Sequence, residues 1–114
     1  MKQISPYLEA TLLAIRAVED YRPDNVEQLS AEPMRADAIM MRLQEIGEIL
    51  YVIRQNFEDD FEANAADDWH KIIGLRHIIS HDYSSVDLGL IWVIITEKLP
   101  KLKKQINSWL AKHP

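Results

Sequence analysis

The 114-residue chain predicts an all-α protein, an antiparallel up-and-down helical bundle. Apolar residues recur at alternating steps of three and four over long stretches. There is no sustained period-two alternation and no Asn-Gly or Asp-Gly turn, and only three glycines occur. Strands and hairpins therefore have little sequence support. With 47% apolar and 27% charged residues, the composition is that of a globular protein, and the length fits one domain spanning residues 1–114.

The elements follow in order. Ser5-Pro6 reads as an N-cap and first-turn pair, after which Leu8, Leu12, Ile15 and Val18 keep helical spacing until Arg22-Pro23-Asp24 ends the run. A short helix is expected over Asn25 to Leu29. Pro33 opens a long helix whose stripe is Ile39, Leu43, Ile46, Leu50, Ile53 and Phe57, leaving Arg35, Arg42, Glu45 and Arg54 toward water. The polar, acidic stretch from Gln55 to Ala66 reads as a mobile loop. A further helix begins near Asp67 or Asp68 and carries Trp69, Ile72, Ile73, Leu75, Ile78 and Ile79. Ser84-Ser85-Val86-Asp87 is a turn with a cap. The last pattern uses Leu88, Trp92, Ile95, Leu99, Leu102, Ile106 and Trp109, with a kink or break expected around Glu97 to Pro100 because proline lacks a donor N–H.

Charge and cysteine usage exclude several classes. Acids outnumber bases 18 to 13, which argues against indiscriminate nucleic-acid binding. The charges are segregated, however. Glu58, Asp59, Asp60, Glu62, Asp67 and Asp68 form an acidic stretch, whereas Lys98, Lys101, Lys103, Lys104 and Lys112 make a basic one that reads as a solvated helix end or a local basic edge. The chain has no cysteine, hence no disulfide, thiol nucleophile or thiolate metal site. No apolar run approaches the roughly 18 residues of a membrane span, and the N-terminus lacks a secretory pattern, so a cytoplasmic protein without membrane contact is expected. Met34, Met40 and Met41 read as helix and core filler, Trp92 and Trp109 as packing residues, and Gly47 and Gly74 as points of close helix approach.

One segment concentrates ionisable chemistry: Arg76-His77-Ile78-Ile79-Ser80-His81-Asp82-Tyr83. His70, His77 and His81 share a helical stripe, which invites a zinc reading. Three histidines on one helix surround a metal poorly without a ligand from elsewhere, and the expectation is no metal. Arg can grip a phosphate through paired hydrogen bonds, and a neutral-range His can move a proton. RNA brings its own nucleophile in the 2′-OH, so a metal-free nuclease needs little beyond a proton shuttle and a cation. Five residues turn roughly 140° around an ideal helix, so Arg76 and His81 should point apart. Either the helix ends before His81 or two chains assemble the site. The alternative is a helix-end Arg and His satisfying carbonyls.

Arg76-x4-His81-x-Tyr83 resembles the RX4–6HXY motif of the HepT-like toxins, a branch of the HEPN superfamily. Ile46-Gly47-Glu48 is similar to the family's IGE segment, and Trp69-His70-Lys71-Ile72-Ile73-Gly74-Leu75-Arg76 to its approach to the motif. Val86-Asp87, Trp92 and Leu99-Pro100-Lys101-Leu102 follow in the same order, so the resemblance spans roughly residues 4 to 106. It implies a helical bundle pairing as a two-fold homodimer, and a metal-independent RNA endonuclease that acts as the toxin of a toxin–antitoxin system without a cofactor. The antitoxin partner would be a small nucleotidyltransferase of the MntA type, with higher hetero-oligomers possible. The same resemblance implies that Arg76 stabilises the scissile phosphate, His81 is the general acid or base, and His77 supports the site. Tyr83 would be the tyrosine that the partner modifies with AMP. Two positions depart from the pattern: Asp82 stands where relatives commonly have Gly, and His77 where many have Asn. The other function class consistent with these residues is a non-catalytic nucleotide-binding or scaffold dimer for the transferase.

Overall fold

In a computed structural model, residues 3–113 are described, and among them helices are joined by short turns with no strand. The elements are α1 (Ser5–Tyr21), α2 (Val26–Ala31), α3 (Pro33–Asn56), α4 (Glu58–Asn64), α5 (Asp68–His81), α6 (Leu88–Val93) and α7 (Leu99–Ala111). A single 3-10 turn, Tyr83–Ser85, links α5 to α6, and a π turn, Ile94–Lys98, links α6 to α7.

The long helix α3 is the centre of the bundle, flanked by α1 and α5. Its residues Ile39, Leu43, Ile46, Leu50 and Ile53 are fully buried, as the three-four spacing predicts. Cross-helix pairs fix the directions. On α3 and α5, Gln44 bonds Ser80 (2.6 Å) and Arg54 meets His70 (3.0 Å), so the two run antiparallel. Lys103 reaches Glu19 at 3.0 Å, and Ser5 Oγ donates to the His113 carbonyl at 3.0 Å, which sets α7 antiparallel to α1. The up-and-down arrangement is thus the observed fold.

Three local expectations are corrected. Ser5 spends its hydroxyl on His113, and α1 has no side-chain cap. The segment read as a loop between Gln55 and Ala66 contains α4. Three acids in its first turn suit the positive end of the helix dipole, and Phe61 anchors it, 2% exposed and edge-on to Trp69 at 5.9 Å. Met34 and Met41 lie on the outside of α3, 87% and 68% exposed, and only Met40 joins the core. The irregularity expected around Glu97 to Pro100 takes the form of a π turn over Ile94–Lys98, after which α-helix resumes at Leu99. The backbone stays right-handed through Val93, Ile94, Lys98 and Leu99, and the Leu99 N–H reaches back five residues to the Ile94 carbonyl. The wider turn makes room for the proline ring and absorbs its missing donor. Helical backbone therefore continues from Leu88 to Ala111.

Asn25 caps α2 by accepting from the Gln28 N–H, and Asp87 caps α6 by accepting from the Gly89 N–H at 2.8 Å. None of the described helices is long and apolar enough to cross a membrane.

Candidate active site at the end of α5

The approach of α5 to α3 depends on Gly47. A Cβ there would sit 3.0 Å from both Arg76 Cβ and the Ile72 carbonyl oxygen, tighter than ordinary contact, so the helices come this close only over a glycine. Gly74 has the opposite character: it is exposed, and a Cβ would meet nothing within 4 Å. The expected close approach exists at the first glycine and not at the second.

Arg76 lies beside Gly47, only 8% exposed. Its NH1 donates to the Ile73 carbonyl at 2.9 Å, and its guanidinium carbon sits 4.2 Å from the centre of the Tyr51 ring. Nε lies 2.8 Å from a Glu48 carboxylate oxygen but off the N–H direction, so this contact is an ion pair rather than an aligned hydrogen bond. Glu48 itself is half-exposed. A guanidinium suits this setting because its flat face stacks on an aromatic ring while its edge stays available to anions.

His77 and His81 leave the same helix in a different direction. Both are exposed, and their rings stack nearly parallel, 17° apart with centroids at 5.7 Å. At roughly 100° per residue, His77 and His81 fall about 40° apart around α5, whereas Arg76 and His81 are about 140° apart. The helix does continue through His81, so within one chain the arginine faces α3 and the two imidazoles face solvent. His70, on the same stripe, turns instead to Arg54 at 3.0 Å and packs edge-on against Phe61 at 5.5 Å.

Beyond α5 the chain turns at Asp82, whose φ of −143° and ψ of 46° are open to any residue. Tyr83 follows, 43% exposed, with its hydroxyl donating to the Asp37 carboxylate of α3. Neither Asp37 nor Tyr51 stands out in the sequence, since both contacts join residues far apart in the chain and no local spacing marks them.

The far side of α5 forms an apolar hollow of about 440 Å³ against α6, lined by Ile72, Gly74, Leu75, Ile78, Leu90 and Val93. Ile78 is 49% exposed here, with Leu90 at 48%. His81 sits roughly 60° around an ideal α5 from Ile78 and is not among the residues that line the hollow. The basic stretch is partly neutralised: Lys98 and Lys101 approach Asp68 at 3.4 and 3.9 Å, and Lys103 pairs with Glu19.

Residues 11–109 match the family model described as "Ribonuclease HepT-like". The chain belongs to the HepT-like ribonuclease family. It is 29% identical over 113 residues to a "Putative RNase" of Caldanaerobacter subterraneus subsp. tengcongensis, with 98% of each chain covered. A protein of Methanocaldococcus jannaschii described as "Gamma-glutamylcyclotransferase and putative RNase" is 29% identical over 106 residues, 92% of this chain. The chain spans only 46% of that relative's length. A second "Putative RNase" from the same organism is 36% identical over 70 residues, covering 61% of this chain and 62% of the relative. No solved structure matches the chain. The matched residues include Arg76, His77, His81 and Tyr83.

Proposed function

We propose that this HepT-like protein is a metal-independent RNA endonuclease, acting as the toxin of a toxin–antitoxin pair. The observation that carries the reading is the exposed, stacked His77–His81 pair at the end of α5, in a chain that belongs to a ribonuclease family. A neutral imidazole of His81 takes the proton of the RNA 2′-OH as that oxygen attacks the adjacent phosphorus. The bond from phosphorus to the 5′-oxygen then breaks, and the leaving oxygen regains a proton from an imidazolium. His77 supports this exchange from one turn away. The products are a 2′,3′-cyclic phosphate and a 5′-hydroxyl.

Arg76 meets the extra negative charge on the phosphate in the transition state. In the protomer that edge of the guanidinium is held by half-exposed Glu48, and RNA engages it by exchanging one anion for another. Two copies of the chain pair so that Arg76 and His81, about 140° apart around α5 within one chain, converge between the copies. The cleft between the copies is the RNA site. Silencing comes from a small nucleotidyltransferase of the MntA type, which attaches AMP to Tyr83 and so places bulk and negative charge beside the RNA path.

Burial of Arg76 between Tyr51 and Glu48 favours one competing reading, a non-catalytic dimer whose motif serves as an acceptor for the transferase. Expressing wild type, His81→Ala and Arg76→Ala in a sensitive host separates the two. The nuclease reading expects growth arrest from wild type only. Equal arrest by all three contradicts it, and intact RNA alongside continued adenylylation of Tyr83 favours the scaffold.

A further inference from the structure

Asp37 belongs to no motif, yet it is the residue that the Tyr83 hydroxyl meets. It sits one turn into α3, just after Pro33, and reaches a tyrosine 46 positions later in the chain. The turn that carries Tyr83 is internally braced: the Ser85 N–H donates to the Asp82 carbonyl at 3.0 Å and the Val86 N–H to the Tyr83 carbonyl at 3.3 Å. The phenol is thus presented to α3 by fixed backbone. Among the described residues Asp37 forms no ion pair, so no cation competes with the phenol for its carboxylate. A hollow of about 210 Å³ opens beside the pair, walled by Leu29, Pro33, Ala36, Met40, Val86 and Leu88. The oxygen is held, accessible and next to open space.

We propose that Asp37 is the general base for nucleotidylation of Tyr83, accepting the phenolic proton through the hydrogen bond seen in the structure. The inference rests on the reading of Tyr83 as the modified residue. An unperturbed phenol has a pKa of about 10 and is a weak nucleophile at neutral pH. As the phenolic oxygen attacks the α-phosphorus of a nucleoside triphosphate, an oxygen–phosphorus bond forms. The bond from that phosphorus to the bridging oxygen breaks, and pyrophosphate leaves with the electron pair. The phenolic proton passes to the Asp37 carboxylate and then to water. Asp37 touches the reacting oxygen, so its contribution belongs to the chemical step rather than to docking of the transferase.

The test compares wild type, Asp37→Asn, Asp37→Ala and Tyr83→Phe as substrates for a small nucleotidyltransferase of the MntA type, using ATP labelled at the α-phosphate and saturating acceptor. Asparagine keeps an acceptor oxygen for the phenol but cannot take its proton. Asp37 is an exposed side chain, and unchanged far-ultraviolet circular dichroism confirms that each variant is folded. The expected result is label on wild-type Tyr83, none on Tyr83→Phe, and a rate reduced about 10-fold or more in both Asp37 variants. Wild-type rates in Asp37→Asn overturn the proposal while leaving Tyr83 as the modified residue. Equal labelling of wild type and Tyr83→Phe, or no labelling of wild type, overturns both.

Discussion

The two sides of α5 at the signature motif differ in almost every physical respect. On the α3 side, Arg76 is enclosed over Gly47, stacked on Tyr51 and paired with Glu48. On the solvent side, His77 and His81 are exposed and touch mainly each other. One short motif therefore carries two kinds of residue. The arginine is built into the packing of the bundle, and the histidines are free to meet a ligand. Loss of the arginine should register in stability and activity together, whereas loss of a histidine should register in activity alone.

The sharpest way to break that contrast is His81→Ala. Removing a general acid–base group should lower RNA cleavage by about 100-fold or more, while an exposed side chain should change unfolding free energy by no more than about 0.5 kcal/mol. Parallel cleavage assays and urea melts check both halves. Arg76→Ala should cost about 2 kcal/mol of stability, because it strips the cation from Glu48 and empties the space over Tyr51, and it should also abolish most activity. A melt indistinguishable from wild type would show that the arginine is not part of the packing. Gly47→Ala attacks the same side without touching a charge. The added methyl must push α3 and α5 apart against backbone, at a cost of about 1–3 kcal/mol in the same melts.

How far these features were legible in sequence follows from the range of each interaction. The stripes of α3 and α5 were readable because burial repeats every three or four residues along one chain segment. The 140° divergence of Arg76 and His81 was readable for the same reason, and the structure retains it. The helix over Glu58–Asn64 was missed because a single aromatic, Phe61, anchors it, and one residue makes no period. Met34, Met40 and Met41 read alike as helix and core filler, but only Met40 falls on the face that neighbouring helices cover. The π turn needed knowledge that helical backbone continues past Pro100. Asp37 against Tyr83, and Tyr51 against Arg76, join residues 46 and 25 positions apart, and no local pattern announces such pairs.

Two smaller effects refine the comparison further. Glu48→Gln removes the anion that RNA must displace from Arg76. It should tighten RNA binding several-fold in a filter-binding or anisotropy assay while costing about 1 kcal/mol or less of stability, since Glu48 is half-exposed. Weaker binding would mean that Glu48 holds the guanidinium in its working position. His77→Asn should leave cleavage within about threefold of wild type, because an amide keeps a polar group at the supporting position. A loss as large as that of His81→Ala would make His77 a full partner in proton transfer.

The most direct measurement is the chemistry of the cut ends. Purified protein freed of metal with a chelator, incubated with RNA, should yield fragments ending in a 2′,3′-cyclic phosphate, with no cleavage where the 2′-OH is replaced by hydrogen and none by His81→Ala. Fragments ending in a 3′-hydroxyl, or undiminished cutting at deoxy positions, would contradict proton transfer from the 2′-OH at the end of α5.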